Sequence, residues 1–200
     1  MTNLQEIINQ CGNCRKCRLY EGRKNVVPGD GNENAEIMFI GEGPGKDEDL
    51  QGKPFVGAAG KFLNELLNSI NLEREDVYIA NVIKCRPPGN RDPFPEEIEA
   101  CWPYLEAQIR IIRPALIVTL GRHSMGRFLP GLKISQAHGQ PKRYKGIDGG
   151  KQVYYPMYHP AVALYNGSYR EILIRDMKRI PKLLEKIKNE NLNERTQSAA

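Results

Sequence analysis

The chain has 200 residues, with 29 Lys and Arg against 24 Asp and Glu and a formal net charge of +5. That length suits one domain with a full core, and the mild basic balance suits a polyanionic partner without demanding one. No apolar run is long enough to span a bilayer, and the N-terminus has neither the basic start nor the long apolar stretch of a secretory leader, so a cytoplasmic protein without a membrane partner is expected. In that reducing setting the five cysteines indicate metal binding or catalysis rather than disulfides.

Leu4, Ile7 and Ile8 predict a short amphipathic helix ending before Cys11-Gly12. Cys11, Cys14 and Cys17 follow at CxxCxxC spacing, so their sulfurs can converge on one centre, and Arg15, Lys16 and Arg18 beside them are expected to favour thiolates. A ferredoxin-type run would place a fourth Cys, followed by Pro, close behind the third. Here Cys17 is followed by Arg18-Leu19-Tyr20-Glu21. The remaining cysteines lie far downstream, so four ligands must combine distant segments and one cysteine is spare. Spacing alone leaves a four-thiolate zinc site and an iron–sulfur cluster both open.

Residues 36–40 read as a strand buried on both faces. The strand opens into Gly41-Glu42-Gly43-Pro44-Gly45 and the acids Asp47, Glu48 and Asp49, then a loop expected to stay irregular through Gly57. Phe62, Leu63, Leu66, Leu67 and Ile70 mark a helix face. Val77–Ile83 is a second apolar strand, interrupted by Asn81, whose amide needs partners. Cys85 follows it, and Cys101 lies on a helix that Pro95-Glu96-Glu97 opens and that runs to Ile112. Ala115–Leu120 is a third buried strand. A short helix over Ser124–Phe128 leads into a basic segment with Lys142, Arg143 and Lys145, expected to be irregular. A fourth strand, Val153–Tyr158, ends at His159-Pro160-Ala161. One last helix is expected from about Ser168 to Ile187, kinked at Pro181, followed by a disordered polar tail over 189–200. The alternation of strands and helices argues a single α/β domain over 1–188, with a parallel sheet covered on both faces. The Gly41 loop, Asn81 and His159 fall at strand carboxyl ends, where such sheets bind ligands.

Gly41–Gly45, Gly52–Gly57, Val77–Pro88 and His159-Pro160-Ala161, in that order and with the cysteines so placed, resemble the family 4 uracil-DNA glycosylases, the iron–sulfur enzymes of bacteria and archaea. The resemblance runs from about Cys14 to the final helix. It implies a three-layer α/β/α sandwich around a four-stranded parallel sheet. It also implies a [4Fe–4S] cluster held by Cys14, Cys17, Cys85 and Cys101, with Cys11 spare. The implied substrate is uracil-containing DNA, single- or double-stranded, cleaved by a monomeric, monofunctional, nucleoid-associated prokaryotic enzyme that starts base-excision repair. No lysine stands where a Schiff-base nucleophile is indicated.

The resemblance also implies roles. Gly41, Glu42, Gly43, Phe55, Asn81 and His159 would bind uracil: Phe55 by stacking, Asn81 by reading the base edge, His159 by donating to O2 as charge grows on the leaving base. Leu164 would wedge into the duplex. Arg86, Arg91, Lys142 and Arg143 would meet phosphates. The family 1 enzymes place a water-activating Asp and a thymine-excluding Tyr where this chain has Gly43 and Gly45. Glu42 is the nearest replacement for either, and Asp47, Glu48 and Asp49 are secondary candidates. A competing class is a non-enzymatic iron–sulfur or zinc protein that binds nucleic acid, and a third is a redox carrier. Neither explains Phe55, Asn81 and His159 together.

Overall fold

The structure, a computed structural model, describes the backbone of residues 3–198. Its strands are β1 (Asp30–Gly31), β2 (Ile37–Gly41), β3 (Tyr78–Asn81), β4 (Leu116–Leu120), β5 (Lys142–Lys145) and β6 (Lys151–Met157). Its helices are α1 (Leu4–Gly12), α2 (Leu19–Gly22), α3 (Lys46–Gln51), α4 (Ala58–Asn68), α5 (Pro95–Ile112), α6 (Arg122–Phe128), α7 (Ile134–Ala137), α8 (Val162–Tyr165), α9 (Ser168–Met177) and α10 (Ile180–Ser198). The strands form one sheet in the order β1-β3-β2-β4-β6-β5.

The period-2 geometry of the strands divides the core in two. Met38, Ile40, Ile117 and Tyr154 pack with Leu4, Ile7, Leu105, Ile109 and Phe128 from α1, α5 and α6. Ile37, Phe39, Val118 and Tyr155 pack on the opposite face with Leu63, Leu66, Leu173, Met177 and Ile180 from α4, α9 and α10. The connection after β2 therefore crosses one face and the connection after β3 crosses the other. That divergence opens a crevice at the carboxyl ends of these adjacent strands.

The expected four-stranded parallel sheet is present as the central block β3-β2-β4-β6, but the whole sheet is mixed, because β1 and β5 add antiparallel edges. The basic segment expected to be irregular is β5, a hairpin partner of β6. Its side chains are mostly exposed, so it carries no apolar alternation; charged edges of this kind discourage pairing with other chains. The acids after Gly45 form α3 rather than loop. The final helix is two helices. Pro181 lies in the first turn of α10, where a missing N–H costs nothing, and the chain breaks just before it. Of the tail expected to be disordered over 189–200, the part to Ser198 is helical in α10, because a helix already anchored through Ile180 and Ile187 propagates through a polar sequence at little cost; residues 199–200 lie outside the described residues.

Gly60 illustrates how tightly α4 meets the loop before it. A Cβ there would overlap the Phe55 carbonyl. Gly60→Ala is expected to cost about 1–3 kcal/mol by overpacking. Gly126 in α6 has nothing within 4 Å, so Gly126→Ala should be neutral or stabilising by about 0.4–1 kcal/mol. Denaturant midpoints of the two variants test this; equal stability would contradict the packing at Phe55.

Candidate active site and cysteine centre

The carboxyl ends of β2 and β3 are in register, with Gly41 beside Asn81. The pairing continues into the loops, where Val82 N donates to Gly41 O and Ile83 N to Glu42 O, both at 3.0 Å. Glycine at 41 follows from what lies against it. A Cβ would overlap Asn81 Oδ1 and stand 2.7 Å from Phe55 Cζ. A cleft opens there, lined by Glu42, Gly43, Glu48, Phe55, Asn81 and His159, so the residues implied for uracil binding meet in one place, with Gly41 in its wall. Asn81 is 1 % exposed, and its Oδ1 is buried without a hydrogen-bond partner among the described residues. Such an atom costs stability unless a ligand satisfies it.

Phe55 sits in the left-handed region at φ 53°, unusual for a bulky side chain. Two groups hold it there. Arg74 donates to Phe55 O at 3.1 Å and to Pro54 O at 2.7 Å. Glu48 accepts from Val56 N and Gly57 N at 2.9 Å with one oxygen and from Gly45 N at 3.1 Å with the other. Glu48 thus clamps the glycine loop to the Phe55 loop, and its oxygens are committed to that task. Asp49 is buried away from the cleft, accepting from Lys24 N and Asn25 N. Neither acid is free as a base, and Asp47 is not among the residues lining the cleft, so Glu42 remains the candidate carboxylate. The space a Gly43 side chain would occupy is taken by Ile83.

The Phe55 and His159 rings stack at 5.5 Å with 29° between their planes. His159 Nδ1 accepts from Ala161 N at 3.2 Å, which puts the imidazole proton on Nε2. Burial pushes the His159 pKa down from 6.5 to about 4, against the pull of Glu48, so the ring is a neutral donor at working pH.

All five cysteines line one cavity with Lys84, Arg23 and Tyr104. Arg23 donates to Cys85 Sγ and Lys84 N to Cys101 Sγ, each at 3.2 Å. Burial, rather than the neighbouring basic residues, dominates the thiols: it raises Cys17 and Cys85, lifts Cys11 to about 11 and Cys101 to about 12. Thiolates in this cavity therefore need a bound cation. Tetrahedral zinc would hold its sulfurs roughly 3.8 Å apart, given Zn–S bonds of about 2.3 Å. Among the described residues, the only trio of His, Cys, Asp or Glu ligand atoms lying within 4.8 Å of one another is Glu42, Asp92 and His123, so no three cysteine sulfurs approach that closely. Cys11 is as well placed in the cavity wall as the others, so position alone does not exclude it.

A family model described as the uracil DNA glycosylase superfamily matches residues 28–185. The chain is 50% identical over 189 residues to a type-4 uracil-DNA glycosylase of Saccharolobus solfataricus, covering 92% of this chain and 88% of that protein. It is 51% identical over 193 residues to one from Archaeoglobus fulgidus, covering 93% and 96%, and 46% identical over 190 residues to one from Thermotoga maritima, covering 92% and 96%. The chain belongs to the type-4 family of the uracil-DNA glycosylase superfamily.

In this type-4 chain Glu42 is half-buried at the cleft mouth. Burial raises its pKa, and His123 opposes that shift. Glu42 Oε2 lies 3.9 Å from His123 Nε2, which in turn lies 3.2 Å from Asp92 Oδ2. Sequence reasoning missed Arg74, Asp92 and His123. None has a local signature, though the Pro- and Gly-rich stretch after Cys85 signals a structured loop. The residues proposed for phosphate contact are variously engaged. Arg91 is bidentate to Glu97 at 2.7 and 2.8 Å and packs on Phe94, Arg86 bonds Asn90 Oδ1, Lys142 bonds Gln140, and Arg143 pairs with Glu190. Leu164 and Tyr165 stand exposed on α8, just past His159. No helix among the described residues is long and apolar enough to cross a membrane.

The depressed His159 pKa sets a pH dependence. Above pH 6.5 both folded and unfolded chains carry neutral imidazole, so the group is neutral to stability. Between 6.5 and about 4 the unfolded chain takes up a proton that the folded chain refuses, and stability falls. His159→Asn should flatten the unfolding free energy against pH by one proton in that window; an unchanged slope would mean the imidazole is not buried neutral.

Proposed function

We propose that this cleft flips uracil out of DNA and hydrolyses its N-glycosyl bond, leaving an abasic site and free uracil. Uracil-DNA glycosylase activity is the function of the chain's relatives by name, and their identity spans nearly the whole chain. Nothing in those relatives favours the non-enzymatic alternative. The observation that carries the residue assignments is the buried, unpartnered Asn81 Oδ1 beside Phe55 and the His159 Nε2–H.

Extrusion is needed because the glycosidic carbon is unreachable in a stacked duplex. Phe55 supplies the stacking face, worth about 1–3 kcal/mol per base. Asn81 Oδ1 accepts from uracil N3–H while its amide donates to O4. Cytosine has no N3–H and presents a donor in place of O4, so it leaves both groups opposed or unpaired. As the C1′–N1 bond breaks, its electron pair moves onto the base and positive charge develops on the sugar. His159 Nε2–H strengthens its hydrogen bond to O2 as that negative charge grows. Glu42, at the mouth, stabilises the cationic sugar and receives the proton of the water that adds to C1′. Its half-buried setting and raised pKa suit that acceptance. Leu164 enters the gap the base leaves, with exposed Tyr165 beside it.

Cys14, Cys17, Cys85 and Cys101 would hold a [4Fe–4S] cluster, whose contribution is to fasten the N-terminal segment, the segment after β3 and α5 together. Cys11→Ser should then leave iron content unchanged, whereas Cys85→Ser or Cys101→Ser should lose cluster and fold; iron lost from Cys11→Ser alone would reassign the ligands.

Single-turnover uracil release from single-stranded and duplex DNA tests the reading. His159→Ala should slow cleavage by about 10²–10³-fold, with much less effect on binding of uracil-containing DNA. Asn81→Asp should lose most uracil excision. Near-wild-type rates in both variants would remove these residues from the reaction.

A further inference from the structure

Lys84 is 1 % exposed in the segment between Asn81 and Cys85. A lysine is almost never fully buried unless paired. Here Nζ donates to Asn81 O at 2.9 Å and to Gln108 Oε1 at 2.7 Å, and both acceptors are neutral. Gln108 is itself fixed, because its Nε2 donates to Pro28 O at 2.8 Å and to Tyr78 Oη at 3.2 Å. No carboxylate forms an ion pair with Lys84 among the described residues. Two neutral acceptors do not offset the cost of taking an ammonium out of water.

The opposite charge comes from the other side. Lys84 lines the cysteine cavity, and its own N–H donates to Cys101 Sγ at 3.2 Å. A four-iron cluster ligated by four thiolates carries net negative charge. One residue therefore touches the cysteine centre through its backbone and the uracil-reading residue through its side chain.

We propose that Lys84 is the buried counter-charge of the cysteine centre and the positioning residue through which that centre holds Asn81 in its reading orientation. The inference rests on the reading of the cysteines as an iron–sulfur site. Anionic thiolates hold the ammonium in place. The ammonium holds the Asn81 carbonyl, and the carbonyl sets the direction in which the amide leaves the end of β3. Loss of the charge should be felt at both ends.

The test uses the whole iron-bearing protein and Lys84→Met, a neutral side chain of similar length. Three quantities are read: iron and sulfide per chain, the midpoint potential of the cluster, and the affinity for free uracil by calorimetry. Removing a buried cation beside the cluster should make the potential more negative, because the reduced form loses a stabilising charge. Uracil should bind about tenfold more weakly, the scale of one lost positioning hydrogen bond. If Lys84→Met does not accumulate as folded protein, Gln108→Glu sets a carboxylate against Nζ and should lower the potential in the same direction. A purely structural lysine would move neither reading in a folded, iron-loaded variant. An unchanged potential or an unchanged uracil affinity in such a variant overturns the proposal. Wild-type protein purified without iron would instead sink the cluster reading, and this proposal with it.

Discussion

The site depends on a missing atom. Gly41 and Asn81 stand side by side at the ends of two parallel strands, and the position a Cβ would take on Gly41 is filled by the Asn81 amide and the edge of Phe55. Any side chain there would displace the amide or the ring. The bare backbone lets a polar amide oxygen, an aromatic edge and two loops share a space that ordinary strand ends give to one residue. The resulting cleft contains a buried acceptor that nothing in the fold satisfies. Its cost is about 1–3 kcal/mol for such an atom, and the base proposed to bind there would supply the partner.

Around that point the protein spends several interactions on rigidity. Glu48 gives both oxygens to loop N–H groups, and Arg74 gives its guanidinium to the two carbonyls before the cleft. Phe55 is held in a backbone conformation it would not adopt alone. His159 is oriented by the amide of Ala161 and packed against Phe55, so its donor proton is directed before any substrate arrives. These are features of a preorganised electrostatic site, in which reorganisation is completed during folding rather than during reaction. The cysteine cavity lies behind the same strand, only a few residues along the chain from Asn81, so the cysteines and Asn81 are held by one stretch of chain.

The parts of this arrangement that were legible in the sequence are those with local signatures. Buried strands announce themselves as unbroken apolar runs, and Asn81 stands out because it interrupts one. The boundaries of α5 match the sequence reading at both ends because Pro95 and the following acids start it unambiguously. The glycine loop and His159 gained meaning from their places at strand ends. What escaped depends on tertiary partners. Glu48 reads as a loop acid until its three N–H donors are seen. β5 has no alternating pattern because both its faces meet water. The cysteines looked activated by neighbouring Arg and Lys, yet burial outweighs those charges. Burial is a property of the folded chain and cannot be counted from adjacent residues.

The central claim is that Asn81, Phe55 and His159 together read and release uracil. A crystal structure of the protein with free uracil bound tests it most directly. The account predicts the base lying against the Phe55 ring, with Asn81 Oδ1 about 3 Å from N3 and His159 Nε2 about 3 Å from O2. Uracil bound elsewhere, or seated in the cleft with its N3–H directed away from Asn81, would contradict it.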